Sequence, residues 1–229
     1  WLWLMDDDTI PEKECISEMI GIMSDDFLGQ KTSFFASSVF GPMGEPMNIP
    51  TIARDKTDNG YSNWSSNLDK GMVAIESATF VSLFINKNAI TCVGYPCKDY
   101  FIWGDDTEYT LRLTKYFGPA YMVGKSKVLH KRFNAKALSI KSEESIKRIN
   151  MYKYLYRNAL INAHEYYGKA GKARLILIGI RDILSNLFTA KNPLRFRKVH
   201  VIIKGYFEYY FNRYDKQGFV NRIPKIEKN

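Results

Sequence analysis

The sequence opens with an apolar run that ends in three consecutive carboxylates, Trp1-Leu2-Trp3-Leu4-Met5-Asp6-Asp7-Asp8. A buried strand that delivers acidic groups at its C-terminal end is how α/β enzymes place hard-cation ligands beside a ligand crevice. Aspartates are also common at turns and helix N-caps, where they accept backbone N–H bonds. The position after an apolar strand favours a divalent cation, with coordination sites left for substrate phosphates. A second acidic knot, Trp103-Gly104-Asp105-Asp106-Thr107-Glu108-Tyr109, again follows apolar residues, Tyr100, Phe101 and Ile102. Adjacent carboxylates repel one another unless a proton or a cation compensates them, and one pKa of such a group is driven upward. That suits a general base taking a proton from a hydroxyl group, with a second acid to orient it. The alternative is a capping arrangement that favours the helix dipole.

His130, followed by Lys131 and Arg132, is one of 3 histidines. At the end of an expected strand it can serve as a third metal ligand through an imidazole nitrogen, although a lone histidine is more often structural. His164 and His200 fall in helical sequence and read as structural. Tyr61, Trp64 and Trp103 can simply pack. Aromatic rings beside carboxylates also match the C–H face of a sugar ring while polar neighbours bind its hydroxyls, a role favoured for Trp103 and left open for Trp64.

The elements that must position these groups are legible in outline. Residues 1–6 read as a strand, and Pro11-Glu12 opens a helix to about Met23 with Ile16, Met19, Ile20 and Met23 on one face. Residues 41–69, rich in Gly, Pro, Asn and Ser, read as a long functional loop with short strands. Residues 72–85 favour one or two strands, and Asn86-Lys87-Asn88 a turn. Thr107–Tyr116 has helical spacing, so the second knot caps a helix, and residues 120–130 form another strand ending at His130. Helices are expected over 143–166, 172–188 and 196–214. The domains are thus a catalytic α/β portion over 1–135 and a helical, basic and aromatic extension over 136–229.

Bulk composition narrows the classes. A chain of 229 residues with 45% hydrophobic content can bury a sizeable core. Cys15, Cys92 and Cys97 form neither an even disulfide framework nor a zinc pattern, so reduced thiols are expected. No run reaches the ~18–20 apolar residues of a membrane span, and no basic n-region or cleavage signature opens the sequence. A cytoplasmic protein is expected. The net charge of +9 is unevenly spread, with 9 Lys and Arg against 17 Asp and Glu in residues 1–124 and 24 against 7 in 125–229. The acidic half fits a cation site. The basic tail suggests an anionic partner. Leu175–Ile180 and Val201-Ile202-Ile203, flanked by Lys and Arg, fit helices lying on the inner face of an anionic membrane, with a plain helix pair as the alternative. Nucleic acid is not expected, since no binding motif accompanies the charge.

The order of Trp3-Leu4-Met5-Asp6-Asp7-Asp8-Thr9, then Phe101 through Arg112, then His130-Lys131 resembles the family 2 glycosyltransferases, especially galactofuranosyltransferase-like and rhamnosyltransferase-like members. The resemblance covers roughly residues 1–132 and implies a GT-A-type mixed sheet followed by a helical appendage. It implies that Asp6 and Asp8, with His130, hold Mn²⁺ or Mg²⁺ against the diphosphate of a UDP- or dTDP-sugar, with Asp7 nearby on the donor. It further implies Asp106 as base. Asp105 and Glu108 are candidates to orient that base or bind acceptor, and Trp64, Trp103 and Arg112 are candidate substrate contacts. Histidine in the ligand set tilts the metal toward Mn²⁺. Such enzymes carry a βαβ-rich, nucleotide-binding half before the triple-Asp strand, so the resemblance also implies that this portion is missing upstream of Trp1.

The activity implied is an inverting transfer of galactofuranose or rhamnose to a cell-surface or lipid-linked glycan. Two other classes stay open: a different metal-dependent phosphoryl- or nucleotidyl-transfer enzyme, and a truncated non-catalytic protein that binds membranes or partners through its tail.

Overall fold

The computed structural model describes residues 1–24, 31–132, 137–188 and 194–211. They form two compact units, a mixed α/β unit built from residues up to Pro96 together with those from Asp106 to the start of the extension, and a helical unit that takes Cys97–Asp105 with the extension.

The α/β unit has eight strands: β1 Leu2–Met5, β2 Thr9–Pro11, β3 Phe34–Phe40, β4 Pro46–Met47, β5 Thr51–Ile52, β6 Met72–Ser77, β7 Ser82–Ile85 and β8 Ala120–His130. Its helices are α1 Cys15–Met23, α2 Lys87–Val93 and α3 Asp105–Tyr116. The sheet runs β1-β7-β3-β8-β6-β5, with β2 pairing to β8 and β4 to β3. Strands β3 and β8 are parallel, and the other described pairs are antiparallel.

Side chains alternate across a strand, and the core divides accordingly. Phe34, Ala36, Leu83 and Ile85 pack with Tyr109 and Leu113 of α3 on one face. Phe35, Phe84, Met72 and Val123 pack with Met19 of α1 on the other. Removing a fully buried phenylalanine such as Phe35 typically costs ~3–5 kcal/mol. The expected helix after Pro11 starts later, at Cys15, because Thr9–Pro11 pairs with β8 as a strand. It is also rotated from the expected face: Cys15 and Met19 are buried, whereas Ile16 and Ile20 are exposed. Asn86 does not make a simple turn but caps α2, its side chain accepting from the Asn88 N–H at 2.9 Å.

A buried polar seam crosses this unit. Trp3 Nε1 donates to Ser82 Oγ at 3.0 Å, Ser82 and Ser37 hydroxyls are 2.8 Å apart, and Ser37 is 3.0 Å from Ser126 Oγ, which lies 3.1 Å from Cys15 Sγ. It joins β1, β7, β3, β8 and α1 in turn. The seam sits where the β3–β8 register jumps from Ser37↔Val123 to Ser38↔Lys127. The extra residues of β8 form a bulge that turns Ser126 into the seam.

The helical unit contains α4 Ile146–Phe188, broken at Gly168, and α5 Arg195–Tyr210. Gly168 has φ 63° and ψ −155°, a region essentially restricted to glycine. The helices expected over 143–166 and 172–188 are thus the two parts of α4 on either side of this residue, while 212–214 lie outside the described residues. The two helices approach closely: a Cβ at Gly205 would lie 2.6 Å from the Lys153 carbonyl oxygen. Among the described residues no helix is long and apolar enough to cross a membrane.

Ser37→Ala should destabilise the fold by ~1–3 kcal/mol in urea denaturation, because it strips a partner from two buried hydroxyls at once. A change within measurement error would show that the seam carries no stability.

Candidate functional site

Three side chains expected as ligands converge. One ligand atom each from Asp6, Asp8 and His130 all lie within 4.8 Å of one another, a group that could hold a metal ion. Strand β1 ends at Met5, the chain turns through the three aspartates, and β2 then pairs with the end of β8 so that Thr9 faces His130. The Lys131 N–H donates to the Asp8 carbonyl at 2.8 Å and closes the turn against β8. His130 Nε2 consequently lies 3.0 Å from Asp8 Oδ1, where either a proton or a cation can bridge them. Water is partly excluded around Asp6, and this burial, more than any neighbour, pushes its carboxyl above the usual range. Asp8 and Asp7 add repulsion, while His130 and Arg132 oppose it.

His130 is buried, and its other nitrogen is held. Nδ1 lies 2.9 Å from Asn48 Oδ1, an arrangement in which Nδ1–H donates and Nε2 is directed at the carboxylates. Asn48 directly follows β4 with φ 48°, a left-handed conformation that asparagine tolerates better than most residues. Nothing local in the sequence marks Asn48, which lies in the 41–69 loop, 82 positions from its partner. The donor set suits a hard or borderline cation: two carboxylate oxygens and one imidazole, as expected of Mn²⁺ or Mg²⁺.

The second knot is anchored to the same small piece of chain as the first. The Asp6 N–H donates to Val81 O at 3.3 Å. At the other end of the β6–β7 connection, the Ala78 N–H donates to Thr110 Oγ1 at 3.2 Å, and that hydroxyl donates to Asp106 O at 2.7 Å. Ala78 and Val81 are three residues apart, a span of at most ~11 Å. Asp106 itself sits in the first turn of α3, its Oδ1 accepting from the Thr107 N–H at 2.7 Å. Asp7 is exposed beside the triad, Trp64 is 37% exposed in a short 3₁₀ turn, and Asp105 is partly exposed.

Glu108 and Arg112 are placed differently from the catalytic and substrate-binding roles expected of them. Both are 1% exposed. Arg112 donates from Nε and Nη2 to the two Glu108 oxygens at 2.9 and 3.1 Å, and from Nη2 to Tyr95 O at 3.0 Å; Nη1 donates to Val93 O. Their i,i+4 spacing closes a forked, buried pair that fastens α3 to the end of α2. Their role is architectural.

Trp103 belongs to the helical unit. Its indole packs edge-on against Tyr152 at 5.0 Å, with the Arg148 guanidinium 5.8 Å from the ring. Phe101, Trp103 and Gly104 all have positive φ, at 65°, 59° and 99°. Asn158 Nδ2 holds this run by donating to the carbonyls of Tyr100, Ile102 and Trp103 at 3.0, 3.1 and 2.8 Å, and Asn162 donates to that of Gly104 at 3.1 Å. The backbone conformation at Gly104 requires glycine, and a Cβ there would also lie tightly against Asn158 Cβ at 3.2 Å. Strained backbone of this kind persists only where its surroundings over-determine it, and it concentrates at functional sites. Asn158 and Asn162 lie mid-helix with nothing in the local sequence to mark them.

The chain matches no known family model and no curated protein.

Two outcomes check the site. Mn²⁺ at a hundred times its Kd should stabilise the chain by ~2.7 kcal/mol in thermal melts. Asp8→Ala should abolish that stabilisation, and Asn48→Ala should demand ~10–100-fold more metal. A wild-type melt indifferent to Mn²⁺ would exclude the cluster as a metal centre. Separately, Arg112→Ala should destabilise by ~3–5 kcal/mol, since it strands a buried carboxylate. Unchanged stability with weakened substrate binding would restore Arg112 to the substrate.

Proposed function

We propose that this chain carries the acidic centre of a GT-A-type, metal-dependent inverting glycosyltransferase of the family 2 kind. On this reading it transfers a sugar, galactofuranose or rhamnose, from a UDP- or dTDP-linked donor to a glycan acceptor. The observation that carries the reading is the convergence of Asp6, Asp8 and His130, with Asp106 tied to the same four-residue connection as Asp6.

The residues fit a divalent cation held by one oxygen each from Asp6 and Asp8 and by His130 Nε2. When bound, it supplies positive charge to the diphosphate that departs. Asn48 keeps the Nδ1 proton of His130 in place, so that Nε2 is the nitrogen offered. Asp106 accepts the proton of the acceptor hydroxyl as that oxygen attacks the anomeric carbon. The bond from the anomeric carbon to the diphosphate oxygen breaks, its electron pair leaves with the nucleoside diphosphate, and attack from the opposite face inverts the configuration. Asp105 orients Asp106 or binds acceptor. The half-open Trp64 ring offers an apolar face to a sugar.

Asp106→Asn should lower turnover by ~10²–10⁴-fold, measured as nucleoside diphosphate released from UDP- or dTDP-sugars with Mn²⁺ and glycan acceptor, while titrated nucleotide binding is retained. Near-normal turnover would remove Asp106 as base. Release of inorganic phosphate or of a nucleoside monophosphate in place of the diphosphate would assign the centre to phosphoryl or nucleotidyl transfer.

A further inference from the structure

The second half of α4 and the whole of α5 turn an unusual combination of side chains outward. On α4 the exposed residues include Arg174, Leu177, Ile180, Arg181, Leu184 and Phe188, with Leu177 at 66% and Phe188 at 81% exposure. At 100° per residue, Leu177, Ile180, Leu184 and Phe188 fall within an arc of about 80°. On α5 the exposed residues include Phe196, Arg197, Ile203, Lys204, Phe207 and Phe211. Phe196, Ile203 and Phe207 there fall within about 40° by the same spacing. Ordinary amphipathic helices turn such stripes inward. Here the inward positions are occupied by a different set, Val201, Ile202 and Tyr209 on α5 and, on α4, Leu175, Ile176 and Ile183, which pack against the unit's core beside the buried Gly179, Asp182 and Asn186, so the outward stripes are additional to the packed ones.

Neither outward face has an exposed carboxylate. Asp182 is 9% exposed and accepts from Tyr156 Oη at 2.9 Å and from Arg181 at 3.0 Å. Glu208 is turned toward Lys153 and Arg157, at 3.4 and 3.6 Å. The charge presented beside the apolar stripes is therefore cationic, from Arg174, Arg181, Arg197 and Lys204.

We infer that these two faces seat the helical unit on an anionic phospholipid surface, with Leu177, Leu184, Phe188, Phe196 and Phe207 entering the headgroup boundary and the arginines and lysine meeting lipid phosphates. Three observations select this occupant. The apolar side chains are large and lie on helices that do not span a bilayer, which is the pattern of an interfacial helix. The flanking charge is of one sign, complementary to anionic headgroups. A second copy of the chain would bring the same cationic faces together, at a cost in repulsion that lipid does not impose. The inference is independent of the chemistry assigned to the acidic centre.

The test uses the full chain with vesicles of phosphatidylcholine alone or containing phosphatidylglycerol. Binding by co-sedimentation is expected only with the anionic vesicles, weakening as salt rises. Leu184→Glu with Phe207→Glu should abolish it, with unchanged circular dichroism since both positions are exposed. Arg174→Gln and Arg197→Gln should each weaken it about fivefold. An environment-sensitive fluorophore on Phe188→Cys, in a Cys92→Ser background, should shift to the blue on anionic vesicles, while the same label on Ser142→Cys should not. Equal binding to neutral vesicles, an unshifted label at position 188, or wild-type chain that sediments as a dimer dissociated by Leu184→Glu would each overturn the inference. The last outcome would give the faces to a second copy.

Discussion

The pairing of β2 with the end of β8 is the contact on which the acidic centre depends. Thr9 opposite His130, with the Lys131 N–H on Asp8 O, brings the imidazole and the Asp8 carboxylate to 3.0 Å although 122 positions separate them in sequence. A slip of one residue would turn every side chain of that stretch to the opposite face and carry His130 away from the carboxylates. The register is fixed upstream by the bulge in β8, where the jump from Ser37↔Val123 to Ser38↔Lys127 is locked by the buried Ser126, Ser37 and Cys15 contacts. Stability and site geometry thus share the same few hydroxyl groups.

Around this centre the chain separates two kinds of acidic residue. Asp6, Asp7 and Asp8 are at least partly open, and the repulsion that Asp8 and Asp7 exert on Asp6 is opposed by His130 and Arg132. Glu108 is sealed in the core against Arg112, which satisfies both its oxygens. Both kinds occur within short acidic runs, and their environments give them opposite purposes. An open cluster of carboxylates beside one imidazole is suited to receiving a cation, whereas a buried carboxylate with both oxygens on a guanidinium is suited to holding α3 against α2.

Much of the plan was legible in the sequence, for reasons that also mark its limits. The strand before the triple aspartate, the strand ending at His130 and the helix after the second knot, expected from Thr107 and starting at Asp105, were readable because apolar runs stop abruptly at charged residues. Convergence of Asp6, Asp8 and His130 was legible through residue type and order. Strand β3, Phe-Phe-Ala-Ser-Ser-Val-Phe, was not, because Ser37 turns into the buried polar seam and, with Ser38 beside it, breaks the expected alternation. The brief β2 was masked by Pro11, which resembles a helix start but here closes an edge pairing with Val128. Glu108 and Arg112 looked like site residues since nothing local reveals that an i,i+4 acid–base pair faces inward. Asn48, Asn158 and Asn162 act through contacts across the chain, to which local pattern is blind.

The connection between Ala78 and Val81 has a bearing on how sequence length can vary. Within the 41–69 segment, residues 54–62 are exposed and lie outside the central strand pairings and away from Asn48, so residues can be gained or lost there with modest consequence. The β6–β7 connection has no such freedom, because its two ends hold Asp6 and, through Thr110, the start of α3. One added residue would alter the distance between the two acidic motifs while leaving every residue in both unchanged. Among chains built on this plan, the number of residues between these strands would be kept more strictly than their identities.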